Sequence, residues 1–363
     1  MLQPYSGREG EHIQSISRPG LNALLLDATA EYPDIDVRFN HDVQEADIQN
    51  AKVKGIDHAT GKAFEYKGDV LIGTDGAGSD VRQGFMEQGA AIRFNYSQVW
   101  LDHGYKELEI PAGQGGTWQI EKNALHIWPR QSFMVIALPN LDGSFTVTLF
   151  LSYDGKPGFN ALNTDQDILD FFTEYFPNLV PLMPDLVEDF KHHPTGALGT
   201  VKCSPWHTSS TLLMGDAAHA VVPFYGQGMN CSMEDVLILN TILDQSHESW
   251  ATAFKAYTEL RKKDADAIAD LAVANYYEMR DHVDNPDFIA KRKIEMQLEK
   301  KYPDYASKYN LVTFCEHVPY SVAMKRGKLQ DKWLLEYCNR NDTNDISAEE
   351  LEKIYSQLMA LEE

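Results

Sequence analysis

Two apolar segments, each running into a glycine-rich turn, constrain the fold of this chain more than any other feature. "DVLIGTDGAGSDVRQGF" spans residues 69–85, and "TLLMGDAAHAVVPFYGQGMN" spans residues 211–230. Each segment is typical of a short buried strand, a tight turn and the start of a helix. The carboxyl ends of parallel strands lie at one edge of a sheet, so turns far apart in sequence can meet over one ligand. The chain is therefore predicted to be an α/β protein with an interrupted ligand-binding layer.

The interrupting segment has a different character. Between residues 96 and 155, short runs rich in β-branched and aromatic residues alternate with Gly, Pro, Asn and Asp, which predicts an antiparallel sheet. Residues 165–190 and most of 229–363 are predicted to be helical. The predicted fold class is α/β with an α+β insertion and C-terminal helices. The predicted units are residues 1–95, 96–200, 201–270 and 271–363.

Local patterns give finer predictions. The predicted strands include "HIQSISR", "DVRFN" and "GTWQI", and "PGLNALLLDATAEY" is a predicted helix with Pro19 in its first turn. The inner stripe of that helix is predicted to consist of Leu21, Leu24, Leu25 and Ala28. The apolar face of the helix beginning near Met229 is predicted to consist of Met229, Met233, Val236, Leu237 and Leu243. The C-terminal segment is predicted to be an amphipathic helix with Ile346, Leu351, Ile354, Tyr355 and Leu358 on one side.

Charge and composition argue against several classes of protein. The formal net charge of -22 disfavours binding to nucleic acid. The four cysteines are scattered without a CxxC pair, which favours buried or free thiols in a reducing compartment. No metal-ligand cluster stands out, because His126 and the pair His192-His193 lack partners at ligand spacing. No apolar run reaches the ~18–20 residues that cross a bilayer, and the N-terminal residues lack the apolar core of a signal peptide. These observations predict a soluble, cytoplasmic protein.

The two turns contain the candidate ligand contacts. Asp75 and Asp216 each follow an apolar strand, where a carboxylate would face a crevice. Asp75 has an alternative interpretation, an Asp-Gly turn with Ser79 as the N-cap of the next helix. After Asp216, Gly226 and Gly228 permit a tight loop, and the N-terminus of the following helix would stabilise an anion. A strand–loop–helix connection without a ligand is the alternative here.

Together, "DGAGSDVR" and "GDAAHAVVPFYGQGMN" resemble the two downstream fingerprints of the class A flavoprotein aromatic hydroxylases. Further segments in family order, among them "HGYKELEIP", "NALHIWPR", "FKHHPTG", "NYYEM" and "KYNLVTF", are similar to the kynurenine 3-monooxygenase family. The resemblance implies an FAD- and NADPH-dependent monooxygenase of tryptophan degradation. Such an enzyme converts L-kynurenine and O2 to 3-hydroxykynurenine through a flavin C4a-hydroperoxide. A related hydroxylase of another aromatic acid is an alternative interpretation.

The resemblance also implies roles for individual residues. Asp216 would hydrogen-bond the ribityl chain of FAD, and the loop after it would lie beside the isoalloxazine ring. The implied cofactor-binding residues are Arg18, Asp75, Gly76, Arg82, Gly215, Asp216, Gly226, Gln227, Gly228, Met229 and Asn230. No residue is assigned as an acid or base, because the flavin supplies the chemistry; Pro223, Phe224 and Tyr225 would lie beside it. Family members often have His or Phe at the position of Tyr225.

The implied substrate pocket lies between the sheet and the flavin loop. Its residues are Tyr5, Leu125, Met134, Ile136, Leu138, Phe150, Asn275, Met279 and Tyr309. Apolar side chains would hold the aniline ring, while Tyr5, Asn275 and Tyr309 would hydrogen-bond the carboxylate of the amino-acid tail. Asn275 and Met279 are four residues apart on one helical face, so both can face the same pocket, although ordinary helix packing is an alternative.

One family feature has no counterpart in the sequence. The family begins with a strand and a GxGxxG loop for the ADP half of FAD, together with an arginine for the substrate carboxylate. Neither "GREG" nor "GQGG" follows a strand or begins a helix, so neither is a substitute. The FAD domain is therefore predicted to be N-terminally incomplete, through truncation, a late start of the reading frame or a real loss. A catalytically inactive fragment or ligand-binding remnant is the corresponding alternative function.

Overall fold

The computed structural model describes residues 6–245, 249–281, 285–343 and 345–361. The helices are α1 Arg18–Thr29, α2 Asp80–Glu87, α3 Gly89–Ile92, α4 Asp165–Tyr175, α5 Leu186–His192, α6 Asp216–His219, α7 Gly228–Gln245, α8 Trp250–Asp281, α9 Pro286–Lys301, α10 Lys308–Thr313, α11 Tyr320–Arg340 and α12 Ala348–Ala360. The strands are β1 His41–Asp47, β2 Lys52–Asp57, β3 Lys62–Lys67, β4 Leu71–Gly73, β5 Asn95–Ile110, β6 His126–Arg130, β7 Phe133–Pro139, β8 Phe145–Ser152, β9 Gly196–Ser204 and β10 Thr211–Leu213.

The strands form three sheets. β4 and β10 pair in parallel, while β1, β2 and β3 form an antiparallel sheet that the sequence patterns did not predict. The largest sheet is antiparallel and has five strands in the order β6-β7-β8-β5-β9. The predicted combination of an α/β layer, an antiparallel sheet and C-terminal helices is confirmed. The predicted boundaries between units stay predictions.

Strand β7 shows how the large sheet separates a core from a cavity. Successive side chains of a strand point to opposite faces. Val135 and Ala137 are fully buried in a core built with α4 and α5. The alternate residues Met134, Ile136 and Leu138 line a cavity on the opposite face. Strand β7 is therefore apolar on both faces: one packs against α4 and α5, and the other borders the cavity, where Met134 also packs against α8.

The C-terminal helices pack around cores of their own. Helix α12 buries Leu351, Ile354 and Leu358, with Ile346 and Tyr355 partly buried beside them, which confirms its predicted apolar side. Ser347 caps the helix by accepting a hydrogen bond from the Glu350 N–H. Within the described residues, no helix combines the length and the apolar character required to span a membrane.

Three strand predictions are wrong. Residues 11–17 and 35–38 are irregular, and the first strand begins only at His41. The apolar residues of "HIQSISR" do not alternate, and Ile13 and Ile16 lie exposed. "GTWQI" forms only an isolated bridge between Gly113 and Thr117, because the chain turns at Gly115 and Gly116 with positive φ.

Two helix faces that were predicted to be apolar and inward-facing are largely exposed. Helix α1 begins near Pro19 as predicted, but it has no buried residue and Leu24 is 63% exposed. Helix α7 buries Cys231, Asp235 and Leu239, whereas the predicted residues Met229, Met233, Val236 and Leu237 are exposed. The buried face of α7 combines the apolar packing of Leu239 with the ionic contacts of Asp235. Met229, Met233 and Val236 line the cavity, and Leu243 alone of the predicted set packs against a core.

Candidate functional site

The two glycine turns lie side by side, as predicted. β4 and β10 pair in register, with Leu71 opposite Thr211 and Gly73 opposite Leu213. The Met214 N–H donates to the Gly73 carbonyl at 3.0 Å, which extends the pairing to the start of both turns. The backbone after each strand therefore reaches the same edge, where both turns contribute to the wall of one cavity.

Arg82 joins the two turns from behind. Its buried guanidinium donates to the Ala217 carbonyl at 2.8 Å and also to the Ala77 carbonyl, one from each turn. The Tyr96 ring lies 5.2 Å from the guanidinium carbon. Arg82 is not among the cavity-lining residues, so its position supports the turns, and its predicted contact with a cofactor stays a prediction.

Asp75 caps helix α2. Its carboxylate accepts hydrogen bonds from the Ser79 hydroxyl at 2.5 Å and from the Val81 N–H at 3.0 Å. Ser79 in turn accepts from the Arg82 N–H at 2.9 Å. This is the turn-and-cap arrangement that the spacing allowed as an alternative. Gly76, with a φ of +82°, lines the cavity, so the cap shapes its backbone.

Asp216 is placed differently. It is the first residue of α6, it lines the cavity, and its carboxylate has no hydrogen bond or ion pair with any residue that the structure describes. The pKa of Asp216 is raised by desolvation, and His219 and Arg18 offset part of that rise. Arg18 lies at the cavity wall and forms an exposed pair with Glu107 at 3.7 Å. A carboxylate with free acceptor positions in a cavity suits a ligand that donates hydroxyl groups.

The loop before α7 brings backbone, rather than charge, to the cavity. A 3-10 turn at Pro223–Tyr225 leads to Gly226, which has a φ of +66° and open space where a Cβ would stand. Gly228 then begins α7, whose first turn contains no acidic residue. The free N–H groups at a helix N-terminus favour a negative charge in front of them. Gly226, Gly228 and Met229 line the cavity.

Two residues of the same loop turn inward. The Gln227 side-chain oxygen accepts from the Asn230 amide at 3.1 Å and from the Tyr320 hydroxyl at 3.2 Å. Gln227 and Asn230 are not among the cavity-lining residues. Their side chains fasten the loop to α11, and their predicted contacts with a cofactor stay predictions.

The predicted substrate residues face the same cavity, which has a volume of about 2750 Å³. Those that line it are Leu125, Met134, Ile136, Leu138, Phe150, Asn275, Met279 and Tyr309, together with Pro223, Phe224 and Tyr225. Tyr5 lies outside the described residues. The Phe150 and Phe224 rings are 5.0 Å apart, so the sheet and the loop meet directly.

Asn275 ties helix α8 to the loop. Its amide donates to the Phe224 carbonyl at 2.7 Å and approaches the Met279 sulfur at 3.6 Å. Both residues line the cavity, as their spacing predicted. The Asn275 amide therefore positions the loop while the residue borders the cavity.

Tyr225 and Tyr309 stack at 5.7 Å with an interplanar angle of 18°. Burial raises the pKa of both hydroxyls, so both stay neutral. The Tyr225 hydroxyl is buried without a hydrogen-bond partner among the described residues. At this position the aromatic ring supplies the packing, and the hydroxyl adds no contact within the chain.

The comparisons with known proteins agree with this geometry. Residues 5–272 match the protein family described as "FAD binding domain". The kynurenine 3-monooxygenase of Myxococcus xanthus (strain DK1622) is 46% identical over 333 residues, which cover 91% of this chain and 71% of the relative. That of Dictyostelium discoideum is 42% identical over 359 residues, covering 95% of this chain and 76% of the relative.

The chain belongs to the kynurenine 3-monooxygenase family.

Solved structures agree on the fold. The tetrameric form of 2-methyl-3-hydroxypyridine-5-carboxylic acid oxygenase has a TM-score of 0.57 at 22% identity, covering 77% of this chain and 71% of that one. Klebsiella pneumoniae HpxO complexed with FAD and uric acid has a TM-score of 0.58 at 18% identity, covering 84% and 72%. The predicted flavoprotein hydroxylase fold of this kynurenine 3-monooxygenase family member is confirmed.

The residues present fit a flavin. The unpaired Asp216 carboxylate, the open space at Gly226 and the N-terminus of α7 lie along one wall of the cavity. Together they offer an acceptor for sugar hydroxyls, room for a flat ring and N–H groups for its electron-rich edge. The kynurenine 3-monooxygenase family therefore accounts for the three features that the chain's own contacts leave unexplained.

A buried charge cluster where helices α8 to α10 border the cavity was missed from the sequence. Lys291 pairs with Glu295 at 3.2 Å and also with Asp331, while Lys308 pairs with Asp331 at 2.5 Å and also with Glu278. Desolvation opposes ionisation of Asp331, but Lys291 and Lys308 together lower its pKa. These residues come from the four consecutive helices α8 to α11. The i,i+4 pair Lys291–Glu295 was the only local signal of the cluster.

Proposed function

We propose that this chain binds FAD and hydroxylates L-kynurenine to 3-hydroxykynurenine, using NADPH and O2. The observation that supports this best is the single cavity with two unlike ends. One end has the unpaired Asp216 carboxylate and the glycine loop, and the other has the apolar face of the large sheet. Family relatives named kynurenine 3-monooxygenase support the choice of substrate.

The proposed cofactor contacts follow from the position of each group. Asp216 accepts hydrogen bonds from the ribityl hydroxyls, and the backbone of Gly226 and Gly228 lies against the ring. Gly215, Gly76 and Arg18 shape the same wall. When bound, FAD supplies the redox chemistry. Asp75, Arg82, Gln227 and Asn230 act from behind by holding these turns in place.

The chain contributes to the proposed reaction by positioning the substrate and by excluding water from the cavity. Met134, Ile136 and Phe150 hold the apolar aniline ring and exclude water from it. The ring's own amino group activates the carbon that is hydroxylated, so the pocket requires no strong base. Leu125, Leu138 and Met279 complete the proposed apolar wall, and Pro223, Phe224 and Tyr225 close it beside the flavin loop.

The amino-acid tail of the substrate is proposed to lie where helices α8 and α10 border the cavity. There Asn275 and Tyr309 offer hydrogen bonds to its carboxylate. Tyr5 is a further proposed contact. We also infer a cytoplasmic location, because all four cysteines carry free thiols and three of them are buried.

Turnover by the purified chain tests the proposal. With FAD and NADPH added, L-kynurenine should accelerate NADPH oxidation and yield 3-hydroxykynurenine by mass spectrometry. Salicylate and 4-hydroxybenzoate, which lack the amino-acid tail, are the comparison substrates. Hydroxylation of either in preference to kynurenine would favour a related hydroxylase. A folded, colourless protein that retains no FAD would favour a ligand-binding remnant.

A further inference from the structure

Asp235 lies at the centre of a buried network behind the proposed flavin site. It belongs to α7 and its side chain is completely buried. One carboxylate oxygen accepts from His219 Nε2 at 2.6 Å and from the Gly215 N–H at 3.2 Å. The other accepts from Arg261 Nε at 2.8 Å. A single carboxylate therefore connects α7, both ends of the Gly215–His219 segment and α8.

The segment that Asp235 holds contains the proposed ribityl contact. Gly215 has a φ of +57°, a conformation that favours glycine, and Asp216 follows it directly. Because Gly215 and His219 are both tied to Asp235, the short helix between them cannot rotate freely. These two bonds hold the backbone on both sides of Asp216, whose carboxylate lines the cavity.

Asp235 is also connected to the N-terminus of α7, the second proposed flavin contact, because both belong to one helix. Gly228, at the N-terminus, is seven residues before Asp235 on one continuous helix, a rise of about 10 Å. A helix of this length transmits a fixed position from one end to the other. Asp235 thus sets the distance between the helix N-terminus and the Asp216 carboxylate.

The network around Asp235 consists of ionic contacts, although apolar side chains of similar volume could also fill this space. Arg261 also pairs with Glu234 at 2.9 Å and donates to the Cys231 sulfur at 3.3 Å. Buried ionic groups are often no more stabilising than apolar residues of the same volume, but they require a defined geometry. His219, Cys231 and Asp235 have metal-ligand spacing, with ligand atoms within 4.8 Å of one another. The Arg261 guanidinium supplies the positive charge among them.

We propose that Asp235 is a positioning residue that holds the Asp216 carboxylate and the N-terminus of α7 in the one arrangement that fits the cofactor. The proposal rests on the FAD binding proposed above. It assigns Asp235 no contact with the cofactor, since α7 buries it on the face away from the cavity.

Asp235→Asn tests the role, with Glu299→Gln as the matched control. Glu299 is another buried carboxylate that accepts from two backbone N–H groups, Gly7 at 2.9 Å and Ser307 at 3.3 Å, and it lies near an arginine. Both variants should lower the Tm. Only Asp235→Asn should raise the Kd for FAD, by about tenfold, and shift the midpoint potential of the bound flavin. Equal effects of the two variants on Kd and potential would overturn the proposal.

A readout without flavin separates this proposal from the proposed function. In flavin-free protein, Asp235→Asn should accelerate hydrogen exchange at residues 214–219 and 227–230 while leaving β7 and β8 unchanged. Unchanged exchange in both segments contradicts the positioning role, whether or not the wild type binds FAD. If Asp235→Asn fails to fold, His219→Gln carries the same tests, with a rise in Kd of about threefold expected and no change contradicting the proposal.

Discussion

The two ends of the cavity are built by opposite means. At the glycine end, backbone and one unpaired carboxylate face the cavity, and the stabilising contacts of Arg82, Gln227 and Asp235 lie behind it. At the sheet end, apolar side chains face the cavity and regular strand pairing holds them. The first end is specified by hydrogen bonds and the second by shape. Substitutions at the two ends should therefore separate cofactor binding from substrate binding.

The largest expected effect is at the glycine end. Asp216→Ala removes the unpaired acceptor and should raise the Kd for FAD by about 100-fold, so that the purified variant is colourless. Fluorescence titration of flavin-free protein with FAD measures it. Asp270→Ala, which removes an exposed carboxylate paired with Lys202 at 2.5 Å, is the control and should bind FAD normally. Full flavin retention by Asp216→Ala would remove the distinction between the two ends.

The sheet end should respond in KM alone. Ile136→Thr keeps the β-branched shape but places a hydroxyl on the apolar wall, so the KM for L-kynurenine should rise by about tenfold. The Kd for FAD should stay within about twofold of the wild-type value, because the substituted side chain is at the sheet end and the proposed FAD contacts are at the glycine end. Val135→Thr is the matched control on the opposite face of β7, where it should lower the Tm without raising KM. A loss of FAD from Ile136→Thr would contradict the separation.

The thermal stability of flavin-free protein should show that the Asp216 carboxylate does not stabilise the folded chain. Because the pKa of Asp216 is raised in the folded chain, its ionised form destabilises flavin-free protein at neutral pH. Asp216→Asn should therefore raise the Tm of flavin-free protein by about 1–2 °C at neutral pH. As the pH falls through the folded-state pKa of Asp216, the folded wild type takes up a proton and this advantage should shrink, and it should disappear only once the unfolded state is protonated as well. Thermal unfolding of both proteins from neutral to acidic pH measures this difference in Tm. A difference that grows on acidification would contradict the prediction.

The smallest effect should be at Tyr225, where the two ends meet. Tyr225→Phe removes a buried hydroxyl that has no partner among the described residues, so the free energy of unfolding should stay the same or rise by up to about 1 kcal/mol. Tyr320→Phe, which removes the hydrogen bond to Gln227, should lower it instead. Denaturant unfolding of both variants gives the comparison. A destabilised Tyr225→Phe would mean that this hydroxyl serves the folded chain.

The two ends also differ in how far the sequence predicted them. The glycine turns and the Ser79 cap are local patterns, and each lies where the sequence placed it. The β7 residues at the sheet end were implied by the family resemblance, and they line the cavity. The Asp235 network and the charge cluster around Asp331 join residues of different helices, so a local period indicates little of them beyond the i,i+4 pair Lys291–Glu295. Helix α7 illustrates the limit. Its apolar stripe was recognised, but a stripe that lines a cavity has the same periodicity as one that packs in a core.

Flavin and kynurenine should occupy one cavity, and the absorbance of bound flavin tests this most directly. Titration of the FAD-loaded chain with L-kynurenine, without NADPH, should perturb the flavin spectrum saturably. Ile136→Thr should require about tenfold more kynurenine for the same change. A flavin spectrum that kynurenine leaves unchanged, while calorimetry shows kynurenine bound, would place the two ligands apart and contradict the account.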